Sequence, residues 1–232
     1  MAFIVILVVS GALLVGAAWG VYGKLPKRLE GFLVALAGGA LIVSATLELI
    51  EPASRDAPMA LVLGAVMLGA VVFCALDFII DKRFGGKSGG GLLAAITLDG
   101  VPENLALGVA LIGTGPTGVA ALAGSILLSN LPEAAGGARE MLKNKMSKRH
   151  VFGLWAATAV MLSIAALLGN VLLADADAVL LAAIRSFAAG AVVASLATEV
   201  FPLAFREDTY GAGIAAALGV CLAFLLNGLG GG

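Results

Sequence analysis

Eight stretches of about 20 mainly apolar residues, each long enough to cross a bilayer, follow one another along the 232-residue chain near 2-22, 30-52, 59-81, 91-113, 117-138, 151-173, 179-204 and 210-229. Charge and turn residues collect in the breaks between them, among them Lys24-Leu25-Pro26-Lys27-Arg28, Asp81 to Gly91, Arg139 to His150 and Asp175-Ala176-Asp177. A lipid-exposed backbone must bond to itself, so such segments form helices. The sequence therefore predicts an all-α integral membrane protein of eight transmembrane helices, with residues 1-232 forming one transmembrane domain. The loops are too short to hold a soluble domain.

Composition points the same way, since 61% of residues are hydrophobic and only 12% charged, against about a quarter charged in soluble domains. A net charge of -1 and the scarcity of aromatic side chains give no platform for nucleic acid. The apolar start, Phe3 to Val21, has no basic n-region and no A-x-A site before a soluble domain, so it reads as a first spanning helix. Cys74 and Cys221 fall inside apolar segments at a spacing that matches no metal or redox motif, which suits free thiols in lipid.

Lys and Arg set the expected orientation, because cytoplasmic loops collect them. Lys24, Lys27 and Arg28, then Lys82, Arg83 and Lys87, then Arg139, Lys143, Lys145, Lys148 and Arg149 occupy alternate breaks. The intervening breaks show Glu51, Asp56, Asp175 and Asp177. A multi-pass protein of the cell (inner) membrane with both termini outside is the expectation. His150, the one histidine, sits beside Arg149 where an interface would solvate it.

Two motifs break the apolar pattern: Leu98-Asp99-Gly100-Val101-Pro102-Glu103 and Leu128-Ser129-Asn130-Leu131-Pro132-Glu133. Asp99 and Glu103 share a helix face one turn apart, as do Ser129 and Glu133 with Asn130 beside them. Each proline also frees the carbonyl four residues back, at Leu98 and Leu128. A buried Glu taken singly is explained by protonation and a hydrogen bond, and a lone Asn or Ser by helix glue. Three intramembrane carboxylates on a repeated Pro-Glu core, with Glu48 and Glu199 elsewhere, call for a cation instead. The candidate metal ligands are Asp99, Glu103, Ser129, Asn130 and Glu133. Glu48 and Glu51 are placed toward the outer approach, and Glu199 and Asp77 toward the inner one.

The second and seventh segments also resemble each other. Ala37-Gly38-Gly39-Ala40 lines up with Ala188-Ala189-Gly190-Ala191, and continuing brings Glu48 onto Glu199. On the expected topology these helices run in opposite directions, as an inverted repeat requires.

With these residues in order along eight segments, the chain resembles the ZIP family of metal transporters over nearly its whole length. In that family the fourth helix carries H-N-x-P-E and the fifth H-[ND]-x-P-E, to which Asp99 to Glu103 and Ser129 to Glu133 correspond. Thr198-Glu199-Val200-Phe201-Pro202 is similar to its acidic turn on the seventh helix. Both family histidines are replaced here, by Asp99 and Ser129, and the first Asn by Gly100. The resemblance implies a 3+2+3 bundle with an inverted repeat and a carrier of divalent metal ions of the Zn, Mn and Fe class, with Cd as a surrogate. The metal is cargo, and no cofactor is implied. Partners are the metal ions and the lipid bilayer, and a homodimer is compatible with the fold. The alternative reading is a proton-coupled carrier of a small non-metal solute, with the same carboxylates as a proton relay. An intramembrane enzyme is disfavoured, because no nucleophile with a base and no lipid-phosphate motif is present.

Overall fold

The computed structural model describes residues 2–84, 89–113 and 116–230, and among them every regular element is helical. Lys87, Thr114 and Gly115, which marked expected breaks, lie outside the described residues. The long helices are α1 (Ala2–Tyr22), α2 (Lys27–Asp56), α3 (Met59–Phe84), α4 (Gly89–Ala110), α5 (Ala120–Lys143), α6 (Lys148–Val171), α7 (Ala178–Glu207) and α8 (Gly211–Gly230). Several run past the apolar stretch that seeds them, because charged residues such as Lys27 and Glu207 extend the rods at their ends. Side-chain caps fix some starts: Ser147 Oγ accepts the His150 N–H at 3.3 Å and Asp177 Oδ1 that of Leu180 at 2.9 Å.

Six helices, α1, α2, α3, α6, α7 and α8, are long and apolar enough to cross a membrane. The sequence predicts eight. Of the other two, α5 carries the polar Ser129-Asn130-Leu131-Pro132-Glu133 motif, which lowers its hydropathy, and α4 has several side chains, those of residues 91–93 among them, outside the described residues. Both are enclosed by other helices, α4 by α3, α6 and α7, and α5 by α1, α2 and α8. The outer surface comes mainly from α3 and α8, where Met67, Val71, Phe78, Ile214 and Leu225 are exposed as a lipid-facing helix requires.

Four pairings hold the bundle: α1 with α5, α2 with α8, α3 with α7 and α4 with α6. Each is a seam of glycines pressed on the facing backbone. A Cβ on Gly39 would run into the Ala216 carbonyl, and one on Gly219 into that of Leu36. Gly69 and Gly190 meet Phe187 and Val66 in the same reciprocal way. Gly16 and Gly20 admit α5 against α1, and Gly108 and Gly169 join α4 to α6. Small residues that let backbones close in are the usual means of packing helices in lipid, where no hydrophobic drive separates helix from solvent. The four pairings are unchanged when α1, α2 and α3 are exchanged with α6, α7 and α8, and α4 with α5.

The exchange also relates two local distortions. A π turn spans Ala45–Ile50 in α2 and another Leu196–Val200 in α7. In each the N–H before a proline reaches back five residues, Glu51 to Thr46 and Phe201 to Leu196. Pro52 and Pro202 lack the N–H that would continue regular winding. Glu48 and Glu199 sit within these turns, and such bulges frequently mark working positions in helices.

Ion pairs identify which helix ends lie together. Lys27 of α2 meets Glu207 of α7 at 3.0 Å, and Glu30 of α2 pairs with Arg139 of α5. This end also carries Lys143 and Arg206, and we call it the basic end. At the other, Arg185 of α7 lies 3.7 Å from Asp56 of α2 and donates to the Val109 carbonyl of α4 at 3.4 Å. That is the acidic end.

Candidate functional site

Helices α4, α5 and α7 bring their carboxylates to one cavity of about 570 Å³. Asp99, Glu103, Ser129, Glu133, Ser195 and Glu199 line its depth, while Lys27, Glu30, Arg139, Lys143, Arg206 and Glu207 ring its mouth at the basic end. Toward the acidic end the space is closed by packed apolar side chains, among them Leu41, Leu49, Leu107, Leu122, Ile126 and Val192. Among the described residues, the chamber therefore faces the basic end.

Asp99 lies beside Ser195 and Glu199 of α7, and Glu199 beside Asp77 of α3. Glu103 and Asp77 act electrostatically on Asp99, and Asp99, Glu103 and Glu199 act on Glu133. Five carboxyl groups from four helices thus influence one another. Asp99 Oδ1 and Glu199 Oε1 have no hydrogen-bond partner among the described residues. Among the described residues no Lys, Arg or His acts on Asp99, Glu103, Glu133 or Glu199.

The mouth is different. Glu30 is held by Arg139, which also donates to the Leu25 carbonyl, and Glu207 is held by Lys27 and by Arg206 at 3.3 Å. Acidic side chains near the surface are neutralised in place, whereas those at depth are not. Uncompensated charge in a low-dielectric interior is costly until a proton or a cation joins it. In this conformation, among the described residues, no group of three His, Cys, Asp or Glu is close enough to hold a metal ion.

The expected ligands divide. Asp99, Glu103, Ser129 and Glu133 all face the cavity, although the Ser129 hydroxyl donates to the Ile126 carbonyl of its own helix at 3.0 Å. Asn130 does not line it. Its amide is buried against α1 and donates to the Val9 carbonyl at 3.1 Å, 121 residues away in sequence. Being next to Ser129 on a helix turns it about 100° away, and that turn points it at the α1–α5 seam. Of the approach residues, Glu199 and Asp77 join the carboxyl cluster. Glu51 instead bonds Arg55 one turn on, at the surface. Glu48 is buried at the start of α5, where its Oε1 accepts the Leu122 N–H at 3.0 Å. His150 is exposed, and Cys74 and Cys221 are free and face outward.

Sequence reasoning missed Ser195 and the ring of ion pairs at the mouth. Ser195 lies four residues before Glu199, so the one-turn rule that joined Asp99 to Glu103 reaches it as well. Asn104 was also missed: fully buried, it donates to the Gly100 carbonyl at 2.9 Å and leaves its Oδ1 without a partner. No protein-family model and no curated protein matches the chain.

Proposed function

We propose that the protein is a membrane carrier for divalent metal cations of the Zn, Mn and Fe class. The observation that carries this reading is the contrast within one cavity: the carboxylates of the mouth have cationic partners, and those at depth have none among the described residues. A divalent cation supplies the missing charge. Glu103 and Glu133 are the central ligands, with Asp99 and Glu199 closing on the ion from the basic-end side. Carboxylate oxygens suit Mn, Mg and Ca and also accept Zn. Each carboxyl must be deprotonated to bind, so loading releases protons.

In the same reading all eight helices span the membrane, with α4 and α5 shielded from lipid by the other six. The bundle is ZIP-like, 3+2+3 with an inverted repeat, and the exchange symmetry of the four glycine seams supports it. By the positive-inside rule the basic end faces the cytoplasm of the cell and both termini face out. The cavity then opens inward, ready to release cargo. The test is thermal stabilisation of the purified protein by Mn, Zn or Cd. A rise in Tm in the parent that disappears in Glu103→Ala and Glu133→Ala supports the site, and an equal rise in both variants removes it.

A second reading, a proton-coupled carrier of a small solute, is favoured by the volume of the cavity, which falls in the range of small-molecule sites. It requires that no metal stabilise the protein, so the same titration separates the two.

A further inference from the structure

The bundle is symmetric in its pairings but not in its two glutamates. The first turn of α5 has four N–H groups with no partner within the helix, and Val119 before it offers no side-chain cap. Glu48 supplies a cap from another helix, its Oε1 accepting the Leu122 N–H at 3.0 Å. A carboxylate is the group that a helix N-terminus favours. The contact lies across the closed seam of the acidic end, beside Ser44 and Ser125, whose hydroxyls pair at 3.0 Å.

The two proline motifs register Leu122 of α5 with Leu92 of α4, thirty residues earlier, and Glu48 corresponds to Glu199. Full symmetry would put Glu199 on the first turn of α4. It lies at Asp99 instead, seven residues or about 10 Å further along the helix. The half in which the glutamate reaches the first turn is shut, and the half in which it lies deeper holds the cavity.

We propose that Glu48 on the first turn of α5 is the latch that keeps the acidic end closed, and that in the opposite state Glu48 lets go while Glu199 takes the equivalent place on the first turn of α4. Halves related by a repeat exchange conformations in this way when access alternates. The latch is built to release. Glu48 is 8% exposed, yet its Oε2 has no partner, so part of what the cap contributes is offset by burying a bare oxygen. The π turns give both glutamates a bend to swing on. The device governs which end opens and is the same for any cargo the deep carboxylates take.

Thiol labelling in detergent tests it without metal and without reference to membrane orientation. With Cys74 and Cys221 replaced by alanine, Ser44→Cys reports the closed seam and Leu203→Cys the open cavity. Glu48→Ala should raise the ratio of Ser44→Cys to Leu203→Cys labelling by about tenfold, the factor a charge-assisted hydrogen bond of ordinary strength carries. Glu48→Gln keeps an acceptor for Leu122 but not the charge, and should fall between the parent and Glu48→Ala. Glu199→Ala should move the ratio the other way. A ratio unchanged by Glu48→Ala, or moved in one direction by both alanine variants, overturns the proposal. If Glu48→Ala does not fold, Glu199→Ala decides alone: a shift toward Leu203→Cys supports the latch, and no shift or the reverse overturns it.

Discussion

Asp99 and Ser129 stand at the same place in their two motifs, each four residues before the glutamate, and both face one cavity. The pair gives the chamber oxygen donors where the family it resembles has imidazoles. Zn favours nitrogen and sulfur donors more than Mn does. Replacing Asp99→His together with Ser129→His should raise the affinity for Zn relative to Mn by about tenfold or more, on the scale of one strong ligand bond. Competition titrations at one pH check this, because protons compete differently for imidazole and carboxylate. An unchanged ratio would mean that these positions do not reach the ion.

The glycine seams make a stability prediction with an internal control. At Gly190 a Cβ would strike the Val66 carbonyl, whereas at Gly213 it would meet nothing within 4 Å. Gly190→Ala should cost about 2 kcal/mol, as overpacking does. Gly213→Ala, in the first turn of α8, should be neutral or stabilising by about 0.5 kcal/mol. Thermal unfolding in one detergent compares them, and equal melting points would deny the close approach of α3 and α7.

At the mouth, Arg139→Met leaves Glu30 without its guanidinium while Glu30 stays 7% exposed. The expected loss is about 2 kcal/mol, less than for a fully buried pair because the Arg139 side chain is 30% exposed. The double variant Arg139→Met with Glu30→Gln should recover part of it in a double-mutant cycle. Additive losses would show that the two side chains do not interact.

Orientation is open to direct labelling. Single cysteines at Lys24 and Lys145 should react only from the cytoplasmic side, and those at Asp56 and Asp177 only from outside. Labelling of Lys145→Cys from outside would invert the map.

The helices and the Pro-Glu cores were legible because each depends on local pattern. Apolar length sets a rod, and a spacing of four sets a shared face, which is why Asp99 with Glu103 and Ser129 with Glu133 could be read directly. What faces that surface is decided by rotation of whole helices against each other. The Asn130 bond to Val9 joins residues 121 apart, and the Glu48 bond to Leu122 residues 74 apart. Nothing in either local sequence states which neighbour arrives. Arg139 was read only as part of a charged break, and the meeting of α2 with α5 is what pairs it with Glu30.

Metal entry into sealed vesicles tests the proposed transport most directly. Protein reconstituted around a metal-sensitive dye should give a saturable signal on adding Mn or Zn, and the Glu103→Ala, Glu133→Ala double variant should give only the leak of empty vesicles. A parent signal no larger than that leak, or one that the double variant retains in full, would contradict a metal carrier built on these two glutamates.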